Sequence, residues 1–256
     1  MGLAGKSRLD VQTGPEETFM KISLYQRIRR GLLRLRLHPI RVFVFHQVSD
    51  IFEPDTMWEC DWTETEAFKR SLLALMKKYT FISLDQVKDH LENDRFRFKD
   101  YAALTADDGW ASLKNILPWL AKQKIPVTLF LNPSCLDGKH WNSRETDKLL
   151  TEEEIVRMVG QCAPYITVAS HGWTHKNSKT MSPEDFENSV QMSEEALERL
   201  PGHVPFFAFV SGRHTPAQVD FLRNRQLTPV FVDGRDNVND PMSIHRHCID
   251  GIPIHE

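Results

Sequence analysis

Short apolar segments alternate with amphipathic helical segments along most of this chain, and no other feature constrains the fold as strongly. Helical patterns cover 64–78, 113–122, 151–159, 183–200 and 217–224, with N-cap signals at Thr151 and at Ser182–Pro183. Seven apolar segments have the character of buried strands: 41–45, 102–106, 127–131, 166–169, 206–210, 229–232 and 242–249. Because strands that helices cover on both faces belong to parallel sheets, we predict a single distorted (β/α) barrel of the α/β class. About seven parallel strands would close it in the manner of a TIM barrel.

Composition and charge exclude several classes of protein. The 32 Lys and Arg residues nearly balance the 35 Asp and Glu residues, for a formal charge of -3, so the chain lacks the basic surplus of a nucleic-acid-binding protein. No apolar run approaches the roughly 18 residues of a membrane span. Cys60, Cys135, Cys162 and Cys248 are far apart and form no CxxC pair, which predicts reduced thiols. Since residues 1–19 lack a signal-peptide pattern, we expect a cytoplasmic protein.

The N-terminal region, 1–40, is predicted to precede the barrel domain, 41–256, as a lead-in and a basic amphipathic helix. Within 20–37, apolar residues recur at spacings of three and four while arginines line another face. Two interpretations stay open. The helix packs on the barrel with a solvated arginine face, or it contacts anionic lipid at the inner face of the membrane.

Polar side chains follow or end several of the predicted strands. In a parallel barrel the carboxyl ends of the strands meet at one face, where such folds build their active sites. These residues are therefore candidate site residues, although they are distant in sequence. They are His46, Asp107-Asp108-Gly109, Ser170 to His175, Ser211-Gly212-Arg213 and His245-Arg246-His247.

Two of these groups together predict a metal site. His171 and His175 form an HxxxH pair, and Asp107 and Asp108 are adjacent carboxylates. Two imidazoles and one carboxylate leave coordination positions open on Zn²⁺, and they also suit Fe²⁺, Co²⁺ or Ni²⁺. Adjacent residues at a strand end point in different directions, so one aspartate ligates readily while the other is free to accept a proton from metal-bound water. Either motif alone is more typical of an ordinary turn or of a structural histidine pair.

These motifs carry a resemblance to a known family. Thr105 to Gly109, TADDG, resembles the TFDDG motif of the polysaccharide deacetylase (NodB-homology) family, and Ser170 to His175, SHGWTH, resembles its second, metal-binding motif. Three further segments are similar to the family's "YHxV", "iPaTlF" and "FAYPYG" segments, with Val210 and Ser211 standing where the last has Pro and Tyr. They are 44–48, 125–130 and 207–212. The similarity extends over residues 41 to 250.

The resemblance implies roles for the residues of the metal motifs. Asp108, His171 and His175 would be the ligands of a divalent metal, most readily Zn²⁺. Asp107 would be the general base that takes a proton from the attacking water. Arg246 is similar to an arginine that orients this base.

Further roles follow from the same resemblance. His46 would be the acid that protonates the departing amine, with His245 as its competitor. His245 is also a candidate for contact with the substrate. The backbone N–H of Ser211 would contact the oxyanion. Independently of the resemblance, Trp110 and Trp173 flank the metal motifs, and they either stack on a sugar ring or pack in the core.

The function that this resemblance implies is metal-dependent removal of an N-acetyl group from an amino sugar in a glycan, glycolipid or polysaccharide precursor. Two alternatives stay open. One is a hydrolase of the same fold that acts on another amide, such as an N-formyl group or a cyclic amide. The other is a non-catalytic sugar-binding barrel, which the retention of the base and all three ligands disfavours.

Overall fold

Seven parallel strands close into a barrel in the computed structural model, which describes residues 38–51, 61–93, 99–139, 141 and 148–250. The strands are β1 (Arg41–Phe45), β5 (Tyr101–Asp107), β6 (Val127–Leu131), β9 (Ile166–Ser170), β10 (His203–Ala208), β11 (Thr228–Val232) and β12 (Ile244–Cys248). They follow the order β1-β12-β11-β10-β9-β6-β5, and β1 pairs with both β12 and β5, which closes the ring. The predicted barrel of about seven parallel strands is confirmed.

Helices connect most of these strands. The first turns carry the predicted caps: the Thr151 and Glu154 side chains form a capping box, and the Ser182 hydroxyl accepts from the Asp185 N–H at 3.1 Å. The predicted helix over 113–122 is divided into a 3₁₀ turn, Ala111–Asn115, and a short helix, Leu117–Lys122. The helix over Leu84–Asn93 was not predicted. The helices are α1 (Thr65–Lys78), α2 (Leu84–Asn93), α3 (Leu117–Lys122), α4 (Glu152–Gln161), α5 (Pro183–Leu197) and α6 (Pro216–Asn224).

Successive residues of the strands pack alternately into two apolar layers. One set of strand residues, including Leu104 and Leu129, packs with the buried faces of α1, α3 and α4. The other set, including Ala103 and Phe130, packs with Leu84, Val87 and Leu91 of α2.

Shorter elements complete the described structure. The pair β2 (Gln47–Val48) and β3 (Trp62–Thr63) is parallel, and β4 (Thr80–Phe81) pairs with the start of β5. The antiparallel pair β7 (Asp137–Lys139) and β8 (Lys148–Thr151) lies between β6 and α4.

Some sequence predictions fall outside this part of the chain. The basic helix over 20–37 and Cys60 lie outside the described residues, so the boundary at residue 40 stays a prediction. The described cysteines, Cys135, Cys162 and Cys248, are free thiols. Among the described helices, none has the length and apolar character needed to cross a membrane.

Candidate metal centre and acid–base pair

A tight turn at the end of β5 separates the two adjacent aspartates. Asp108 and Gly109 both have positive φ angles, 72° and 74°, and the Gly109 N–H donates to the Asp107 carbonyl at 2.9 Å. A Cβ atom at Gly109 would lie 2.7 Å from Leu131, so glycine is required there for space as well as conformation. The turn sends the Asp107 side chain to Arg246 and the Asp108 side chain to the paired histidines.

Asp108, His171 and His175 form a candidate metal centre. The Nε2 atoms of the two histidines lie 3.5 Å and 3.2 Å from Asp108 Oδ1. This oxygen is buried and has no hydrogen-bond partner, although buried polar atoms are nearly always satisfied. A carboxylate oxygen and two imidazole nitrogens that converge on one point are a donor set that fits a divalent metal. The predicted ligands are therefore brought together, and the set suits the divalent ion that the resemblance implies.

His171 is held in the form that a metal ligand requires. Its Nδ1 lies 2.8 Å from the Ala208 carbonyl, which can only accept, so Nδ1 carries the hydrogen and Nε2 keeps a free lone pair. Burial lowers the pKa of His171 and outweighs the nearby carboxylates, which keeps the imidazole neutral. The Asn132 amide, which was not predicted, donates to the carbonyls of His171 and Gly172 at 2.7 Å and 3.1 Å and so fixes this loop.

Asp108 is ionised in this setting. Burial by itself would raise its pKa, but contact with His175 and the charges of the nearby histidines hold the pKa of Asp108 well below its usual range. The Trp110 indole N–H donates to Asp108 Oδ2 at 3.1 Å. Trp110 is buried, and this hydrogen bond orients a candidate ligand. Stacking of Trp110 on a sugar ring stays a prediction.

Asp107 forms a bidentate ion pair inside the barrel. Its two carboxylate oxygens accept from Arg246 Nη1 and Nη2 at 2.6 Å and 2.8 Å, and Nη1 also donates to Thr105 Oγ1 at 3.1 Å. The Arg246 side chain is 0% exposed, and it lies over the Phe130 ring. Burial opposes ionisation, but Arg246 outweighs it and lowers the pKa of Asp107 below its ordinary value. The carboxylate is therefore ionised and fixed in orientation.

This ion pair predicts a large effect on stability. In Arg246→Met the Asp107 carboxylate would stay buried without its guanidinium partner, and we expect the free energy of unfolding in urea to fall by about 3–5 kcal/mol. The double variant Arg246→Met/Asp107→Asn is the control, because it removes both charges and should recover part of this loss. An unchanged free energy of unfolding for Arg246→Met would contradict the prediction.

His46 pairs with an aspartate that the sequence analysis missed. Its Nδ1 lies 2.6 Å from Asp250 Oδ2, and its backbone N–H donates to Asp250 Oδ1 at 3.0 Å. Burial works against protonation, but Asp250 and the charges of Asp108 and Asp107 outweigh it and raise the pKa of His46 to about 10. Asp250 lies two residues after the end of the last strand, so a search of the strand ends like the one that selected Asp107 could have found it.

The structure does not bring His245 to this site. Successive residues of a strand face opposite sides, and Arg246 points into the barrel, so His245 lies on the outer face. Its Nδ1 contacts Asp233 Oδ2 at 2.9 Å, and its ring stacks on Phe231. His245 is therefore misplaced for the predicted contact with substrate or for service as the acid.

Other candidates lie in the loops around the strand ends. The strand predicted over 206–210 ends at Ala208, and Ser211 lies in a 3₁₀ turn with a φ angle of 54°. The Trp173 N–H donates to Ser189 Oγ, and the Trp173 carbonyl accepts from the Ser134 N–H. Their contacts with the oxyanion and with sugar stay predictions.

One aromatic contact at the centre was not predicted. Trp141, from the connection between β7 and β8, stacks on the His175 ring with 3.7 Å between centroids. It also meets Trp110 edge to face. The indole thus covers one side of a candidate ligand.

Comparison with solved structures shows which known folds resemble this barrel. The deacetylase PplD of Streptococcus pyogenes, solved with acetate, is 17% identical, with 83% of this chain and 93% of that chain covered and a TM-score of 0.67. IcaB of Ammonifex degensii is 19% identical over 82% and 91%, with a TM-score of 0.66. A de-N-acetylase of Aggregatibacter actinomycetemcomitans is 16% identical over 83% and 95%, with a TM-score of 0.67. These likenesses establish the fold.

A protein-family model gives the class of protein to which the chain belongs. No curated protein sequence matches it. Residues 97–230, more than half of the 256 residues, match the family model described as polysaccharide deacetylase. The chain belongs to the polysaccharide deacetylase family, which confirms the resemblance noted in its motifs and supports a hydrolase that acts on acetylated carbohydrate.

Proposed function

We propose that this protein is a metal-dependent hydrolase that removes the N-acetyl group from an amino sugar in a glycan, glycolipid or polysaccharide precursor. The observation that carries the proposal is the convergence of Asp108, His171 and His175 beside the ionised Asp107. One solved neighbour is named a de-N-acetylase, and another was solved with acetate. Both names support cleavage of the amide C–N bond of an acetamide group.

The three candidate ligands would hold a divalent cation, which supplies Lewis acidity and lowers the pKa of bound water. Zn²⁺ is our first candidate, because it accepts two imidazoles and a carboxylate with a position left open. The same donor set suits Fe²⁺, Co²⁺ and Ni²⁺.

Asp107 and His46 are the residues that we assign to the two proton transfers of the reaction. Asp107 accepts the proton of the attacking water, and Arg246 holds the carboxylate in place for that transfer. His46, protonated through its pairing with Asp250, donates a proton to the departing amine. The backbone N–H of Ser211 is our candidate donor to the oxyanion.

The role of His46 predicts a change in the pH dependence of turnover. Only the protonated imidazole donates a proton, so activity falls as pH rises through the pKa of His46. Asp250→Asn removes the carboxylate that raises this pKa, and we expect the alkaline limb of kcat/KM to move to lower pH. His46→Ala should lose about 10²–10⁴-fold in kcat together with that limb.

His245→Ala is the matched control for the histidine substitution. His245 lies on the outer face of β12, and we expect the His245→Ala variant to keep the wild-type pH profile of kcat/KM. A profile that loses its alkaline limb in His245→Ala but keeps it in His46→Ala would reassign the acid.

The function is tested by assaying acetate and formate release from N-acetylated and N-formylated amino sugars, with a cyclic amide as a third substrate. We expect acetate release that a chelator abolishes and that a divalent metal restores. Preferred formate release or opening of the cyclic amide would point to the alternative hydrolases. Sugar binding without hydrolysis by the metal-loaded protein would indicate a non-catalytic barrel.

A further inference from the structure

A second group of potential metal ligands lies in the described structure, apart from Asp108 and its two histidines. His46 Nδ1, Cys248 Sγ and a carboxylate oxygen of Asp250 all lie within 4.8 Å of one another. His46 Nδ1 is 2.6 Å from Asp250 Oδ2, and Cys248 Sγ is 3.4 Å from the same oxygen. We call this group the His–Cys–Asp cluster.

Two neighbouring strand ends build this cluster. β1 and β12 are paired with Val44 opposite Cys248, and the Ile249 N–H donates to the Val44 carbonyl at 3.0 Å. His46 follows β1 and Asp250 follows β12, so the barrel closure itself brings the three side chains together. The Asp250 side chain is fully buried, whereas Cys248 is exposed and leaves a route for an ion from solvent.

We propose that the His–Cys–Asp cluster is a second divalent metal site, for thiophilic ions such as Zn²⁺ or Cd²⁺, and that its occupancy inhibits the enzyme. An imidazole nitrogen, a thiolate and a carboxylate oxygen are all ordinary Zn²⁺ ligands, and the thiolate disfavours Mg²⁺ and Ca²⁺. Binding releases the thiol proton and the imidazolium proton. One thiolate and one carboxylate then balance the charge of the ion.

Inhibition follows from the identity of one ligand. A metal ion on His46 Nδ1 replaces the proton shared with Asp250, and the imidazole then no longer exists as the imidazolium that we propose as the proton donor. This consequence rests on the proposed function, whereas the binding of the ion does not. Excess Zn²⁺ should therefore suppress an activity that the first equivalent supports.

Cobalt substitution tests the site without any assay of activity. Thiolate ligation to Co²⁺ produces a charge-transfer band in the near ultraviolet, and Asp108, His171 and His175 include no thiol that could give it. We expect two equivalents of Co²⁺ and this band in the wild-type protein, and one equivalent without the band in Cys248→Ser. Cys162→Ser and Cys60→Ser are the matched controls and should keep the band. Absence of the band from wild type at saturating Co²⁺, or its persistence in Cys248→Ser, would overturn the proposal.

A Zn²⁺ titration of acetate release tests the inhibition. Wild-type activity should rise and then fall as the Zn²⁺ concentration increases. In Cys248→Ser the inhibitory Zn²⁺ concentration should be at least about tenfold higher, which corresponds to a loss of about 1.4 kcal/mol or more in binding free energy. Identical inhibition of the two proteins would refute the inhibitory role. No acetate release at any Zn²⁺ concentration would count against the proposed function alone, because the Co²⁺ band decides the metal site separately.

Discussion

Asp107→Asn is expected to lower kcat by about 10²–10⁴-fold while the protein keeps its metal, because the substitution removes a proton acceptor and no ligand. Both Asp107 oxygens are engaged by Arg246, and Asp107 is not among the three groups that converge at the candidate centre. Steady-state kinetics together with metal analysis of the purified variant would measure the two effects independently.

The exposed Asp220 on α6 provides the matched control, since Asp220→Asn makes the same chemical change away from the barrel mouth. It should retain both turnover and metal. If Asp107→Asn lost its metal while Asp108→Ala kept it, the two adjacent aspartates would have exchanged their roles.

Removal of any candidate ligand is expected to abolish activity together with metal binding at the centre formed by Asp108, His171 and His175. Loss of an outer-shell partner already lowers metal affinity about 10–100-fold, so loss of a direct ligand in Asp108→Ala, His171→Ala or His175→Ala should cost more than about 100-fold. Bound metal also stabilises the folded state, by about 2.7 kcal/mol at a hundredfold excess over Kd. The wild-type Tm should therefore rise with added metal, and the Tm of the three variants should respond far less.

His247→Ala is the control for the loss of a histidine from the barrel. His247 contacts Asp236 at 2.8 Å and, like His245, alternates with Arg246 along β12. Metal content and the metal-dependent rise in Tm should be unchanged in this variant. Stoichiometric metal and normal turnover in two of the three ligand variants would refute the assigned centre.

Local patterns were enough to predict most of the barrel. All seven ring strands were predicted, because a short apolar run between two helical segments indicates a buried strand. The Ser182 cap and the Thr151 cap were also local signals. The helix α2 was missed although Leu84, Val87 and Leu91 have helical spacing. The strand predicted over 206–210 begins three residues earlier, at His203, and ends two residues earlier, at Ala208, although Phe209 and Val210 continue its apolar run.

Contacts between distant residues were harder to predict. Asn132 fixes the His171 loop across 39 residues, and Asp250 meets His46 across 204 residues. Trp141 reaches His175 from the β7–β8 connection. These residues carry no motif of their own, because an Asn, Asp or Trp in a loop has the same local appearance whether or not it contacts a site.

By itself, the sequence determined the parallel barrel and the residues at its strand ends. Apolar periodicity depends on residues that are close together in the chain, and the alternation of strands and helices can be read along the sequence. Only the tertiary structure decided that Arg246 points inward to Asp107 while His245 points outward, since the facing of a strand depends on its register within the closed sheet. It also decided that Asp108 Oδ1 lies unpaired between two imidazoles. The physical reason is that closure of the ring, in which β1 pairs with both β12 and β5, brings together residues that are 139 positions apart, as with Asp107 and Arg246.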